Sequence, residues 1–233
     1  MSEKAPLLLL PGLLCDARLW AHQVETLADL AAITVADLTL DDSMEAMAGR
    51  VLAAAPERFA LAGLSMGGYV AQQIMRMAPE RVTRLALVDT SALADTPEQT
   101  ERRQGFINQV QHGEFKGVTS RLLPMLVHKQ RLDDAALTGT VTEMAETVGK
   151  DAFIRQQTAI MGRRDGRADL AHVDCPTLVL CGRQDALTPP GVHQEMTDAI
   201  PAAALVVIED CGHLAPLERP RAVSAAMRYW LQV

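Results

Sequence analysis

Apolar and polar positions along this chain follow two alternating rhythms. Pro6–Leu10 (PLLLL), Ile33–Ala36, Phe59–Ala62, Leu85–Val88, Thr177–Leu180 and Leu205–Ile208 are short apolar runs, broken at most by one threonine. Such runs predict strands buried on both faces. Between them lie stretches of helical period: Ala17–Leu30, with Trp20, Val24, Leu27 and Leu30 on one face, then Met44–Ala55 and Met66–Met77. Helical patterns also follow the last two strands. Strand alternating with helix predicts an α/β fold, a parallel sheet with helices on both faces.

The rhythm breaks between Ser91 and about Leu170. Four helical patterns, Pro97–Val110, Val118–Leu126, Asp133–Val148 and Asp151–Met161, follow one another with no strand among them. This reads as a helical cap, residues 91–170, inserted between the fourth and fifth strands of a core made from residues 1–90 and 171–233.

Composition narrows the function classes. The chain has 233 residues, 48% hydrophobic and 22% charged, which suits one domain with a modest insertion. Its net charge is −7 and aromatics make up only 3%. An acidic chain without a basic stripe or a stacking platform is a poor binder of nucleic acid or anionic membrane. Ala5–Cys15 resembles a signal-peptide core, but Pro11-Gly12 interrupts it and no small-residue cleavage site follows. No apolar run is long enough to cross a membrane. Of the four cysteines, Cys15, Cys175, Cys181 and Cys211, none has zinc-ligand spacing. Cys175 and Cys181 fall on one extended segment whose ends cannot meet. A reducing, cytoplasmic compartment is the expectation.

The candidate chemistry lies just past the predicted strands, where α/β sheets place their ligands. Gly63-Leu64-Ser65-Met66-Gly67 is a G-x-S-x-G pattern directly after one strand and opening a helix, the setting of a nucleophile elbow. The turn strains the serine backbone and lifts its hydroxyl above the sheet. A serine hydroxyl needs a base. His213 follows the sixth strand in Asp210-Cys211-Gly212-His213, and Asp185 follows the fifth in Gly182-Arg183-Gln184-Asp185. His213 would take the Ser65 proton, and Asp185 would fix its tautomer. Asp89 is a rival acid, though Asp89-Thr90-Ser91 better suits a turn or cap. Asp210 reads as a loop residue too close to His213 to reach its imidazole. His22, His112, His172 and His193 fall in helical or linker patterns, and His128 lies in the cap. The Met66 N–H, at a helix N-terminus, and the Leu13 N–H, in the Pro11-Gly12-Leu13-Leu14 turn, would form an oxyanion hole. Asp16 would cap the next helix.

Together LLLLPGLL, FALAGLSMGGYVAQQ, RLALVDTSA, TLVLCGRQDALTPP and VIEDCGHLAPLERP resemble the α/β-hydrolase fold family, in particular its compact capped esterase-like members. The resemblance covers nearly the whole chain apart from the cap. It implies a Ser65–Asp185–His213 triad, a Leu13/Met66 hole, no cofactor, no metal, and acyl transfer on esters or related carbonyls. Three departures stand out. The family's usual first two strands are missing, so about six parallel strands are expected. Pro11-Gly12 replaces the usual His-Gly, which alters hydrogen bonding behind the hole. Asp37–Asp42 replaces a Gly-x-Gly turn.

The leading reading is a serine esterase, monomer or homodimer, on small to medium carboxylic esters. A pocket is expected from Leu14, Met125, Leu126, His128, Met144, Met161, Leu187 and Leu214, with the methionines giving an adaptable wall. Lactonase, thioesterase, perhydrolase and carbon–carbon bond hydrolase remain open, because fold does not choose among them. So does a non-catalytic receptor on the same scaffold. Cys211 beside His213 suggests inhibition by bulky thiol reagents.

Overall fold

The structure, a computed structural model, describes residues 4–113, 115–118 and 121–233. Six strands form one sheet: β1 (Ala5–Leu10), β2 (Ala31–Val35), β3 (Phe59–Leu64), β4 (Val82–Val88), β5 (Thr177–Gly182) and β6 (Ala203–Ile208). Their order is β2-β1-β3-β4-β5-β6, and every neighbouring pair is parallel. The helices are α1 (Ala21–Thr26), α2 (Met44–Ala54), α3 (Met66–Met77), α4 (Pro97–His112), α5 (Leu123–Leu126), α6 (Ala135–Met161), α7 (Arg167–Leu170), α8 (Pro190–Ala199), α9 (Ala215–Glu218) and α10 (Pro220–Gln232). None of them is long and apolar enough to cross a membrane.

The unbroken PLLLL run has a simple cause. Successive strand side chains point to opposite faces. Leu7 and Leu9 join a core with Trp20, Leu27, Val223, Met227 and Trp230. Leu8 and Leu10 join another with Met44, Met47, Val70, Ile74 and Met196. α1 and α10 therefore cover one face, and α2, α3 and α8 the other. The edge strands β2 and β6 depart from the expectation: they are only partly buried, because each has a neighbour on one side alone.

The chain runs from β1 outward to β2, then returns across β1 to β3. The carboxyl ends of β1 and β3 thus flank the point where the winding direction reverses, which opens a crevice. Among the described residues, four non-glycine residues have positive φ, and all lie past carboxyl ends of strands: Leu14 (58°) after β1, Ser65 (53°) after β3, Asp89 (43°) after β4 and Asp210 (50°) after β6. Such backbone costs about 1–2 kcal/mol per residue and persists only where the surroundings impose it.

Three local expectations are corrected. Ala17–Trp20 is a tight 3-10 turn, capped by Asp16, so the helical register restarts at Ala21. Val24 consequently stands 36% exposed, and Gln23 takes the buried position. The helix read over Val118–Leu126 shrinks to α5, with residues 119 and 120 outside the described set. Pro124 is the reason, since proline fits only the first turn of a helix. Cys175 lies before β5, not on it. The two adjoining patterns at 133–148 and 151–161 form α6, interrupted at Gly149 (φ 77°, ψ 178°).

Candidate active site

The elbow follows from two glycines. A Cβ on Gly63 would lie 2.3 Å from the Gly67 carbonyl oxygen, and one on Gly67 2.2 Å from the Leu10 carbonyl oxygen. Only glycine lets β1, β3 and α3 approach so closely. Ser65 sits between them at φ 53°, ψ −114°. Its N–H donates to the Val88 carbonyl at 3.0 Å, and the Thr90 hydroxyl donates to its carbonyl at 2.7 Å. β4 thus braces the strained turn from beside it.

The three candidates from three distant loops meet. Ser65 Oγ lies 2.9 Å from His213 Nε2, and His213 Nδ1 lies 2.8 Å from Asp185 Oδ2. With its proton on Nδ1, the imidazole donates to Asp185 and accepts the Ser65 hydroxyl. Asp185 and His213 are buried, whereas Ser65 is partly open. Asp185 Oδ1 accepts the N–H groups of Leu187 and Thr188 at 2.8 and 2.9 Å, and Oδ2 accepts the Thr188 hydroxyl at 2.7 Å. Burial alone would raise its carboxyl, but the facing His213 and the Thr188 donors hold it below the usual carboxylate range. The ionised form is favoured beside the imidazole.

The rivals stand elsewhere. Asp89 is fully buried and spends both oxygens on backbone N–H groups, those of Gly182 and Ala215. Asp210 is exposed on its loop.

The Gly12 turn passes against the elbow: a Cβ on Gly12 would sit 3.6 Å from Ser65 Cβ. The Cys15 N–H closes the turn onto the Gly12 carbonyl at 3.1 Å. Among the described residues, neither the Leu13 nor the Met66 N–H has a hydrogen-bond partner. The next N–H, on Leu14, is taken by Gln156 Oε1 at 3.1 Å.

The expected pocket residues separate. Leu126 lies against the site, since its carbonyl accepts the His213 N–H at 3.0 Å. Its neighbour Met125 is 38% exposed, as is Leu187, at 39%, beside Asp185. Met161 is partly buried. Met144 is corrected: at 0% exposure it fills the hydrophobic core with Leu137 and Val141 and has no free surface for a ligand. Leu14, His128 and Leu214 are likewise buried among protein atoms. A cleft of about 270 Å³ opens behind α3, between Met75, Arg76 and Leu170, and no candidate site residue lines it.

Sequence reasoning missed Thr90, Thr188, Gln156 and Glu218. Glu218 is buried and ties Gly212 N–H (2.9 Å) to His128 N–H (2.8 Å). One signal for Gln156 exists: it interrupts the apolar face of Phe153 and Ile160 at helical spacing.

A parallel sheet with a serine on its strand–helix elbow is the architecture of an α/β-type hydrolase. The chain belongs to the alpha/beta hydrolase fold family, whose model matches residues 33–220. It is 30% identical over 236 residues to the pimeloyl-[acyl-carrier protein] methyl ester esterase of Pectobacterium atrosepticum, covering 93% of this chain and 90% of that one. The solved structure of a thermophilic esterase from Thermogutta terrifontis superposes with a TM-score of 0.89 at 30% identity, over 99% of this chain and 90% of that one. The enol-lactonase of Burkholderia xenovorans LB400 has the same fold, with a TM-score of 0.89 at 22% identity over 99% and 92% of the two chains.

Proposed function

We propose that the chain is a serine hydrolase of small to medium carboxylic esters, acting through Ser65, His213 and Asp185 and an acyl-enzyme. The hydrogen-bonded line Ser65–His213–Asp185, at 2.9 and 2.8 Å, carries the reading. Similarity to two proteins named as esterases, each at 30% identity, supports the ester class.

Ser65 Oγ attacks the ester carbonyl as its proton passes to His213 Nε2. Asp185 holds Nδ1–H and stabilises the imidazolium. The carbonyl oxygen becomes an oxyanion between the Leu13 and Met66 N–H groups, the latter at the N-terminus of α3. The C–O bond to the alcohol breaks, and the alcohol leaves with the His213 proton. Water then gives a proton to His213 and attacks the acyl-Ser65 carbon, releasing the acid and restoring the Ser65 hydroxyl. No cofactor enters this cycle. Residues 91–170 act as the cap, and Met125, Leu126 and Leu187 give the mouth an apolar rim suited to an acyl chain. Cytoplasmic localisation, a small-molecule ester as substrate, no nucleic-acid or membrane partner, and a monomer or homodimer complete the reading.

The test is hydrolysis of p-nitrophenyl esters from acetate to long acyl chains, with Ser65→Ala beside the wild type. Loss of at least about 10³-fold in kcat is expected. Turnover by Ser65→Ala near the wild-type rate overturns the reading.

A further inference from the structure

The turn that carries Leu13 is an unusual one for its sequence. It runs from Gly12 to Cys15, closed by the Cys15 N–H on the Gly12 carbonyl at 3.1 Å. Its third residue has positive φ, 58°, and that residue is Leu14. A turn with positive φ there normally carries glycine or asparagine, and other residues favour the form in which the central peptide is turned over. Here the central peptide joins Leu13 to Leu14. Its orientation decides where the Leu14 N–H and the Leu13 carbonyl point, while the Leu13 N–H lies on the peptide before it, inside the same turn.

One side chain holds that orientation. Gln156 reaches down from α6, and its Oε1 accepts the Leu14 N–H at 3.1 Å. Its Nε2 donates to the Leu38 carbonyl, in the segment after β2, also at 3.1 Å. Gln156 is 1% exposed. An acceptor on one side and a donor on the other fix the amide in a single orientation, because a flipped amide would face N–H with N–H. Proline at position 11 offers no side-chain hydrogen bond of its own to this turn.

We infer that Gln156 is the positioning residue of the oxyanion hole: by pinning the Leu14 N–H it holds the whole Gly12–Cys15 turn in place against Ser65, and with it the preceding peptide that carries the Leu13 N–H. The inference rests on the serine-hydrolase reading above. It makes α6 part of the catalytic apparatus, although no atom of Gln156 need touch substrate. Without the amide, the buried Leu14 N–H loses its partner and the turn is free to adopt the form leucine prefers. An oxyanion donor acts on the transition state more than on the planar ester, so the loss falls on kcat.

The experiment compares Gln156→Met, which keeps the bulk, with Gln157→Ala, the next residue on the same helix. Gln157 is equally buried but bonds Arg103 instead. Gln156→Met is expected to lower kcat on p-nitrophenyl butyrate roughly 10- to 100-fold, part of the loss from deleting a donor outright. KM should stay within about three-fold, and the inhibition constant of phenylboronic acid, which forms a tetrahedral adduct, should rise with the fall in kcat. Gln156→Glu retains the acceptor and should recover much of the rate. Should Gln156→Met fail to fold, Gln156→Asn, one methylene too short, is read in its place with the same expectation. Wild-type kcat in Gln156→Met, or an equal loss in Gln157→Ala, overturns the inference. Ser65→Ala in the same assay keeps the two claims apart: activity surviving there sinks the hydrolase reading itself, whereas a dead Ser65→Ala beside an undiminished Gln156→Met sinks only the role of Gln156.

Discussion

Asp89 Oδ1 accepts the Gly182 N–H at 2.9 Å, so the end of β4 is tied to the end of β5 by a carboxylate. Its other oxygen accepts the Ala215 N–H at 3.1 Å, two residues past His213. Burial, and then the charge of nearby Asp185, push the Asp89 carboxyl up, and the two N–H donors oppose the shift. Asp89 is thus a clamp on the loops that carry Asp185 and His213. Asp185→Asn is expected to lower kcat by roughly 10⁴-fold, because the imidazole loses the partner that fixes its tautomer. Asp89→Asn sets an amide NH₂ against a backbone N–H and should cost about 1–3 kcal/mol of stability while the folded protein keeps most of its rate. Steady-state kinetics with denaturant midpoints separate the two effects. The opposite pattern would transfer the acid role to Asp89.

His193 makes the stability of the elbow depend on pH. Its Nε2 accepts the Thr90 N–H at 3.0 Å, and Thr90 in turn holds the Ser65 carbonyl. Burial lowers the imidazole to about 4, against 6.5 for an ordinary histidine; the neighbouring Asp185 opposes that shift and His213 adds to it. The folded state therefore favours the neutral ring. Its contribution is complete above pH 6.5, declines as pH falls from 6.5 towards 4, and is gone below 4, amounting to about 3 kcal/mol. Urea midpoints at pH 7, 5 and 4 should show that decline in the wild type and a shallower one in His193→Gln. Equal slopes for the two proteins would exclude the role.

The strands, the elbow and the meeting of Ser65, Asp185 and His213 at one end of the sheet were legible because each leaves a local mark. Burial on both faces makes a strand uniformly apolar, and a tight strand–helix turn demands Gly63 and Gly67. The supports left no such mark. Gln156 bonds backbone groups 142 and 118 residues away, and Glu218 bonds one 90 residues away. Periodicity shows which face is buried, not which distant N–H that face will meet. For the same reason Met144 read as pocket lining: an apolar helical position looks alike whether it faces ligand or core. Pro124 was visible in the sequence, and its incompatibility with a helix through 118–126 is plain local chemistry.

The expected sensitivity of Cys211 to thiol reagents is reversed by its surroundings. The side chain is fully buried, and its sulfur lies 3.7 Å from the Gly212 carbonyl oxygen. Burial, followed by the charges of Asp89 and Glu218, pushes the thiol well above its ordinary value. The thiolate is the reactive form, so native Cys211 is expected to be inert. Cys15 and Cys181 are buried too, each pushed up to about 12. Ellman's reagent should find almost no reactive thiol in the native protein and all four after denaturation. Rapid titration of a native thiol, with loss of activity, would restore the sequence expectation.

Glu218 couples the His213 loop to the segment leading from α5. Its two oxygens accept Gly212 N–H and His128 N–H, and the Leu126 carbonyl accepts the His213 N–H itself. Both N–H groups are buried, so Glu218→Ala strands two donors at once. A cost of about 2–6 kcal/mol is expected, since each buried unsatisfied group costs about 1–3. Burial raises the Glu218 carboxyl, and the His128 and Gly212 donors offset part of that rise. Glu218→Gln keeps one acceptor but turns NH₂ towards the other donor, so it should fall between wild type and alanine. The catalytic loss should follow the geometry: with Gly212 released, His213 no longer meets Ser65 Oγ at a fixed distance, and kcat should fall with KM little changed. Thermal unfolding and kinetics of the three proteins, read together, decide the matter. If Glu218→Ala melts with the wild type, packing alone holds the two segments together, and the carboxylate is no brace for the base.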